Sequence, residues 1–127
     1  MEEKIKNSET RQFKAVFPTT YNANETLFGG LALKWMDEVA YITATRFTRQ
    51  RMFTIKTGEI KFHKAVGENT IVEVVGKISK VQAVTIDVAV DIYCEPMYDT
   101  GREKVISGVF TFASLNDKNK PQRIKIS

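Results

Sequence analysis

Between Gly29 and Thr48 the apolar residues recur at three- and four-residue steps, and beyond Thr48 they recur at alternate positions. Leu31, Trp35, Val39, Ile42 and Ala44 carry the first pattern, with Lys34, Glu38 and Thr45 interleaved. That spacing predicts one long helix, beginning at Phe28 or Gly29 and ending near Thr48. Asn24 or Thr26 can cap it. No second segment supports a helix of that length. A chain with one long helix must bury the apolar stripe against one face of a sheet, so the expected class is α+β.

The strands follow from alternation and turn residues. Arg11 to Val16 reads as a short first strand, and Pro18 with the run Thr19 to Asn24 reads as loop. Phe53, Ile55 and Thr57 lie on one parity, Ile60 and Phe62 on the other, which predicts a β-bulge at Gly58-Glu59. Ile71 to Val81 is apolar on both parities near Val74-Val75, as expected of a strand covered on both faces. Gln82-Ala83 makes a tight link to Val84–Ile92, whose alternation is clean. Val105 to Leu115 is the last long strand, and the turn beginning at Asn116 leads into a tail that adds edge structure or hangs loose. Residues 1–127 are read as one domain, with residues 1–10 as a flexible N-terminus and 116–127 as a C-terminal turn and tail. Surplus apolar surface and open sheet edges favour a homodimer joined edge to edge.

Composition narrows the function. The chain has 127 residues, 43% hydrophobic and 27% charged, enough for one core. Cys94 is the only cysteine, so neither an intrachain disulfide nor a Cys-based zinc site is available, and a reducing cytoplasm fits. The polar start, Met1 to Ser8, reads as no signal peptide, and no apolar run approaches a membrane span. The net charge of +4 is spread along the chain without a basic stripe interleaved with aromatics, so neither nucleic acid nor membrane is an expected partner.

One constellation carries chemistry. Asn22 stands seven residues before Gly29, and Asp37 seven after Gly30. Seven residues is close to two turns of 3.6, which puts Asp37 on the helix face of Gly30. Backbone N–H groups at a helix start are unpaired and carry the positive end of the helix dipole. Gly30 has no side chain to keep a carbonyl oxygen away, so its N–H is the best candidate oxyanion donor. Asp37 can activate water as a general base or attack as a nucleophile. Asn22 can orient water or the carbonyl.

The run from Asn22 through Gly29-Gly30 to Met36-Asp37 resembles the signature of the hotdog-fold acyl-CoA thioesterases. The likeness is to the branch holding the cytosolic long-chain acyl-CoA hydrolases and small bacterial single-domain relatives. Thr54 to Lys64 resembles that family's second strand, and Val109 to Asn116 with Lys120-Pro121 its final strand and turn. Glu25 stands where the family usually has Gly, and Ala65 where it has Pro.

The resemblance implies a hotdog fold and hydrolysis of an acyl-CoA to free acid and coenzyme A. Coenzyme A would be part of substrate and product, with no cofactor and no metal. It implies that Asn22 of one subunit works with Asp37 of its neighbour, in dimers assembled into a higher homo-oligomer such as a hexamer. Gly29, Lys56, His63 and Lys64 are candidate substrate-binding residues, the basic ones for the phosphates. Arg102 is a further candidate, and Trp35, Met36, Phe53 and Phe62 are candidate walls for the acyl chain. Hotdog dehydratases depend on a histidine before the helix; His63 is the only histidine here and follows it. The alternative from another class is a non-catalytic acyl-CoA-binding module.

Overall fold

The computed structural model describes residues 1–16 and 29–126. In chain order the elements are α1 (Glu2–Ser8), β1 (Thr10–Ala15), α2 (Gly29–Thr48), β2 (Met52–Thr57), β3 (Lys61–Phe62), β4 (Thr70–Val81), β5 (Thr85–Pro96), β6 (Glu103–Leu115) and β7 (Pro121–Gln122). The sheet is antiparallel in the order β1-β4-β5-β6-β2, with β3 and β7 also pairing with β6. Helix α2 lies across one face of this sheet, against β4 and β5.

Helix α2 buries Ala32, Trp35, Met36, Val39, Ala40, Thr43, Ala44 and Phe47, a stripe at the predicted spacing. Two threonines enter that stripe because their hydroxyls donate back to the helix, Thr43 to the Val39 carbonyl and Thr48 to the Ala44 carbonyl, each at 2.8 Å. The helix stops at Arg49, which takes a φ of 55° while its N–H bonds the Thr45 carbonyl. On the sheet side, Ile86, Val88, Val90 and Ile92 of β5 are fully buried, and their neighbours in sequence lie on the outer face. Val72 and Val74 of β4 and Phe110 and Phe112 of β6 complete the inner face.

Three features sharpen or correct the sequence reading. Residues 1–10 were expected to be flexible, but Glu2–Ser8 form α1, which packs on α2. Arg46 of α2 ties it down, donating to the carbonyls of Asn7 at 2.7 Å and Glu9 at 3.0 Å and to the Thr10 hydroxyl at 3.2 Å. The bulge expected at Gly58-Glu59 is present, because between the pairs Thr57–Phe110 and Lys61–Ser107 one extra residue lies within 58–60; a second bulge, not expected from sequence, lies at Ile55, where the register with β6 shifts between Thr54 and Lys56. Of the two alternatives for the tail the structure takes edge structure: β7 pairs with Ser114 and Leu115, the Ile124 N–H bonds the Ala83 carbonyl, and Ile124 is buried.

Candidate active site

The bulge at Ile55 decides what β2 presents to the helix. Thr54 pairs with Phe112 and Thr57 with Phe110, both inner-face residues of β6. One extra residue between them puts the two threonines on the same side although they are three positions apart. Opposite them stands the first half of α2, where Gly30, Leu33, Lys34 and Asp37 follow one another at helical spacing. Together with Ile60 and Phe110 these residues line a groove of about 510 Å³. Gly30 and Asp37 are both exposed in it.

The groove therefore combines a carboxylate, two hydroxyls, the first turn of a twenty-residue helix and an apolar wall of Leu33, Ile60 and Phe110. The first turn of α2 contains no acidic residue to neutralise its dipole. Such an arrangement can hold a carbonyl against backbone N–H groups while a carboxylate acts on water beside it.

The candidates named from sequence divide. Gly30 and Asp37 share the groove. Gly29 opens the helix beside the ring of Phe62. Asn22 and Glu25 lie outside the described residues. Lys56 pairs with Thr111 on the outer face of the sheet, away from Thr54 and Thr57. His63 shares a hydrogen bond of 3.0 Å with the Ser107 hydroxyl, also on the outer side. Lys64 bonds Glu103 at 3.2 Å beside a second cavity of about 400 Å³. The groove does not gather these three cations. Among the expected acyl walls, Met36 is fully buried behind it, and Trp35 carries Lys14 over its ring. Leu33, Thr54, Thr57, Ile60 and Phe110 were not singled out from sequence; Leu33 was within reach, being three residues from Gly30 and four from Asp37.

Charge elsewhere is settled within the fold. Glu73, on the outer face of β4, is 7% exposed and accepts from Arg102 at 2.6 Å and Arg11 at 3.1 Å. Burial pushes its carboxyl up, but the two guanidiniums outweigh that and hold it below the usual carboxylate range. Arg102 also stacks over Tyr93, 3.5 Å from the ring centre. Cys94 lines the second cavity, and burial pushes its thiol up, which disfavours the nucleophilic thiolate. Among the described residues no three His, Cys, Asp or Glu side chains come together as a metal site, and no helix is long and apolar enough to cross a membrane.

Known proteins share this architecture. An uncharacterised acyl-CoA thioester hydrolase of Bacillus subtilis is 28% identical over 116 residues, covering 91% of this chain and 67% of the relative. The cytosolic acyl coenzyme A thioester hydrolase of Mus musculus is 25% identical over 122 residues, covering 94% of this chain; this chain spans only 32% of that larger protein. The acyl-CoA hydrolase of Staphylococcus aureus, solved in complex with butyryl coenzyme A, coenzyme A and coenzyme A disulfide, superposes with a TM-score of 0.89 at 25% identity, covering 96% of this chain and 74% of that one. Residues 24–100 match the profile of the Thioesterase superfamily. That match takes in well over half of the chain, including α2 with Gly30 and Asp37 and the strands β2 to β5, and the chain belongs to the Thioesterase superfamily.

Proposed function

We propose that this protein is an acyl-CoA thioesterase, hydrolysing the thioester of an acyl-CoA to the free acid and coenzyme A. The observation that carries this reading is the groove in which the Asp37 carboxylate shares one helix face with the exposed Gly30 at the start of α2. In this reading the thioester carbonyl oxygen points at the Gly30 N–H, where the developing negative charge meets an unpaired donor and the helix dipole. Asp37 takes a proton from water as its oxygen attacks the carbonyl carbon. The C–S bond then breaks, and the coenzyme A thiolate leaves and takes that proton back. Direct attack by Asp37, giving an acyl anhydride that water then opens, uses the same two groups. Neither route calls on a metal or a resident cofactor.

The remaining roles follow from this placement. Gly29 keeps the entrance at the helix start free of a side chain. Asn22 orients water or the carbonyl, supplied by the neighbouring subunit of a homodimer. Lys56, His63 and Lys64 stand outside the groove, where the phosphates at the far end of coenzyme A would reach them along the surface or from a second subunit. The homodimer, and its assembly into a larger ring such as a hexamer, is supported by apolar side chains exposed around β2, namely Ile55, Phe62 and Val109. A cytoplasmic setting fits the cytosolic mammalian relatives and the unpaired Cys94.

The test is release of free thiol from a panel of acyl-CoAs by the purified protein. Turnover that disappears in Asp37→Ala, with coenzyme A still bound, supports the reading. A wild-type protein that releases no thiol from any of them overturns it, and binding without turnover would leave an acyl-CoA-binding module.

A further inference from the structure

The inner row of β6 runs Ile106, Gly108, Phe110, Phe112, and all but Gly108 bring a large buried side chain to the helix side. The space left at Gly108 is not empty. A Cβ built there would collide with Cδ1 of Ile60, and Cε of Met36 would lie 3.5 Å away. Ile60 comes from the interruption between β2 and β3, is half-buried, and packs against the core. It is also a wall of the groove that holds Asp37. One side chain thus fills the notch at Gly108 and bounds the space beside the carboxylate. Gly108 does not take a positive φ, so its backbone would accept a side chain; what excludes one is Ile60.

Resting on the thioesterase reading, we infer that Ile60 seated on Gly108 is the stop for the acyl chain and that the preferred substrates carry short acyl groups. An acyl group whose carbonyl sits between Gly30 and Asp37 has Leu33, Phe110 and Ile60 as its apolar surroundings. A groove of about 510 Å³ is on the scale of one drug-sized ligand. Along that surface the acyl group meets Ile60, whose Cδ1 occupies the notch at Gly108, and this side chain limits the length left for it. Removing the Ile60 side chain opens the notch and lengthens the channel. Adding a Cβ at Gly108 drives Ile60 outward and shortens it.

The experiment compares wild type, Ile60→Val, Ile60→Ala and Gly108→Ala on straight-chain acyl-CoAs from acetyl to dodecanoyl. The reading is kcat/KM for each chain length, with binding of the same series measured by calorimetry on the Asp37→Ala background. Wild type is expected to prefer the short end. Ile60→Ala should favour chains two methylenes longer by about tenfold relative to the shortest, from the hydrophobic contribution of each buried methylene. Ile60→Val should shift the same way by less, and it keeps the result readable should the Ala variant fold poorly. Gly108→Ala should lose most on the longer chains. An unchanged chain-length order in both Ile60 variants, or a wild type that prefers long chains, overturns the inference. Absence of turnover throughout, with the binding order shifting as described, would instead overturn the thioesterase reading and leave the chain stop standing.

Discussion

Asp37 and Gly30 stand two helical turns apart on one face of α2 and line the same groove. In the proposed reaction the first handles the proton and the second the oxyanion. Asp37→Asn keeps the size and the hydrogen-bonding reach and removes the base. Loss of a positioned acid–base group typically lowers the rate about 10²–10⁴-fold. We expect that fall in kcat for thiol release, with coenzyme A affinity within a few fold of wild type by calorimetry. Equal losses in both would mean that Asp37 only shapes the groove.

The helix carrying Asp37 is seated by a close contact on β4. A Cβ at Gly76 would lie 2.6 Å from the Thr43 hydroxyl and 2.8 Å from Cγ1 of Val39. Both neighbours are fully buried, and Thr43 is committed to the Val39 carbonyl, so neither can yield cheaply. Gly76→Ala should cost about 1–3 kcal/mol as overpacking. Thermal unfolding followed by circular dichroism should show a clear drop in Tm. Activity should fall with it even at temperatures where the protein stays folded, because a lifted helix moves Asp37 away from Thr54 and Thr57.

The parts legible in sequence and the parts that were not differ in the range of the interactions behind them. The stripe of α2 and the alternation of β5 are written in consecutive residues, and each imposes a period on its own segment. The spacing that links Gly30 to Asp37 is local in the same way. The bulge at Gly58-Glu59 shows as a change of parity, but the one at Ile55 does not: Phe53 to Thr57 alternate without a break, and the extra residue there is chosen by pairing with β6. Thr54 and Thr57 were missed as groove residues for that reason, and Lys56 was expected near the substrate although the same shift sends it to the outer face. Helix α1 has one apolar residue inside it, Ile5, and its support comes from Arg46, thirty-odd positions away. Ile60 was invisible because its role depends on what Gly108 lacks.

On the outer face, Glu73 gives the fold a dependence on acid. Its folded-state value lies below that of the unfolded chain because Arg102 and Arg11 outweigh burial. A carboxyl depressed in this way contributes stability that is present above the unfolded value of about 4.3 and is lost as pH falls through the folded value. Both guanidiniums are about half exposed, so solvent screens the pairs, and Glu73→Gln should cost about 1–2 kcal/mol at pH 7. Urea unfolding at pH 7 and at pH 3 tests this. The gap between wild type and variant should shrink at pH 3, and a gap independent of pH would assign the effect to packing rather than charge.

In the proposed homodimer a second subunit would complete the site at the exposed edge of β2. Ile55 is 52% exposed at the bulge, Val109 of the adjoining β6 is 39% exposed, and Phe62 of β3 is 55% exposed. An apolar strand edge of this kind invites pairing with another strand. Replacing Ile55 with Lys adds a charge that must be desolvated if two such edges meet, and the inner-facing residues Thr54 and Thr57 keep their places. Sedimentation velocity should then show a smaller species than wild type at the same concentration. Thiol release should fall in proportion to the dissociated fraction and recover at high protein concentration, since in the proposed assembly Asn22 reaches Asp37 from the partner. A variant that stays associated, or one that dissociates with full activity, would place the complete site within one chain.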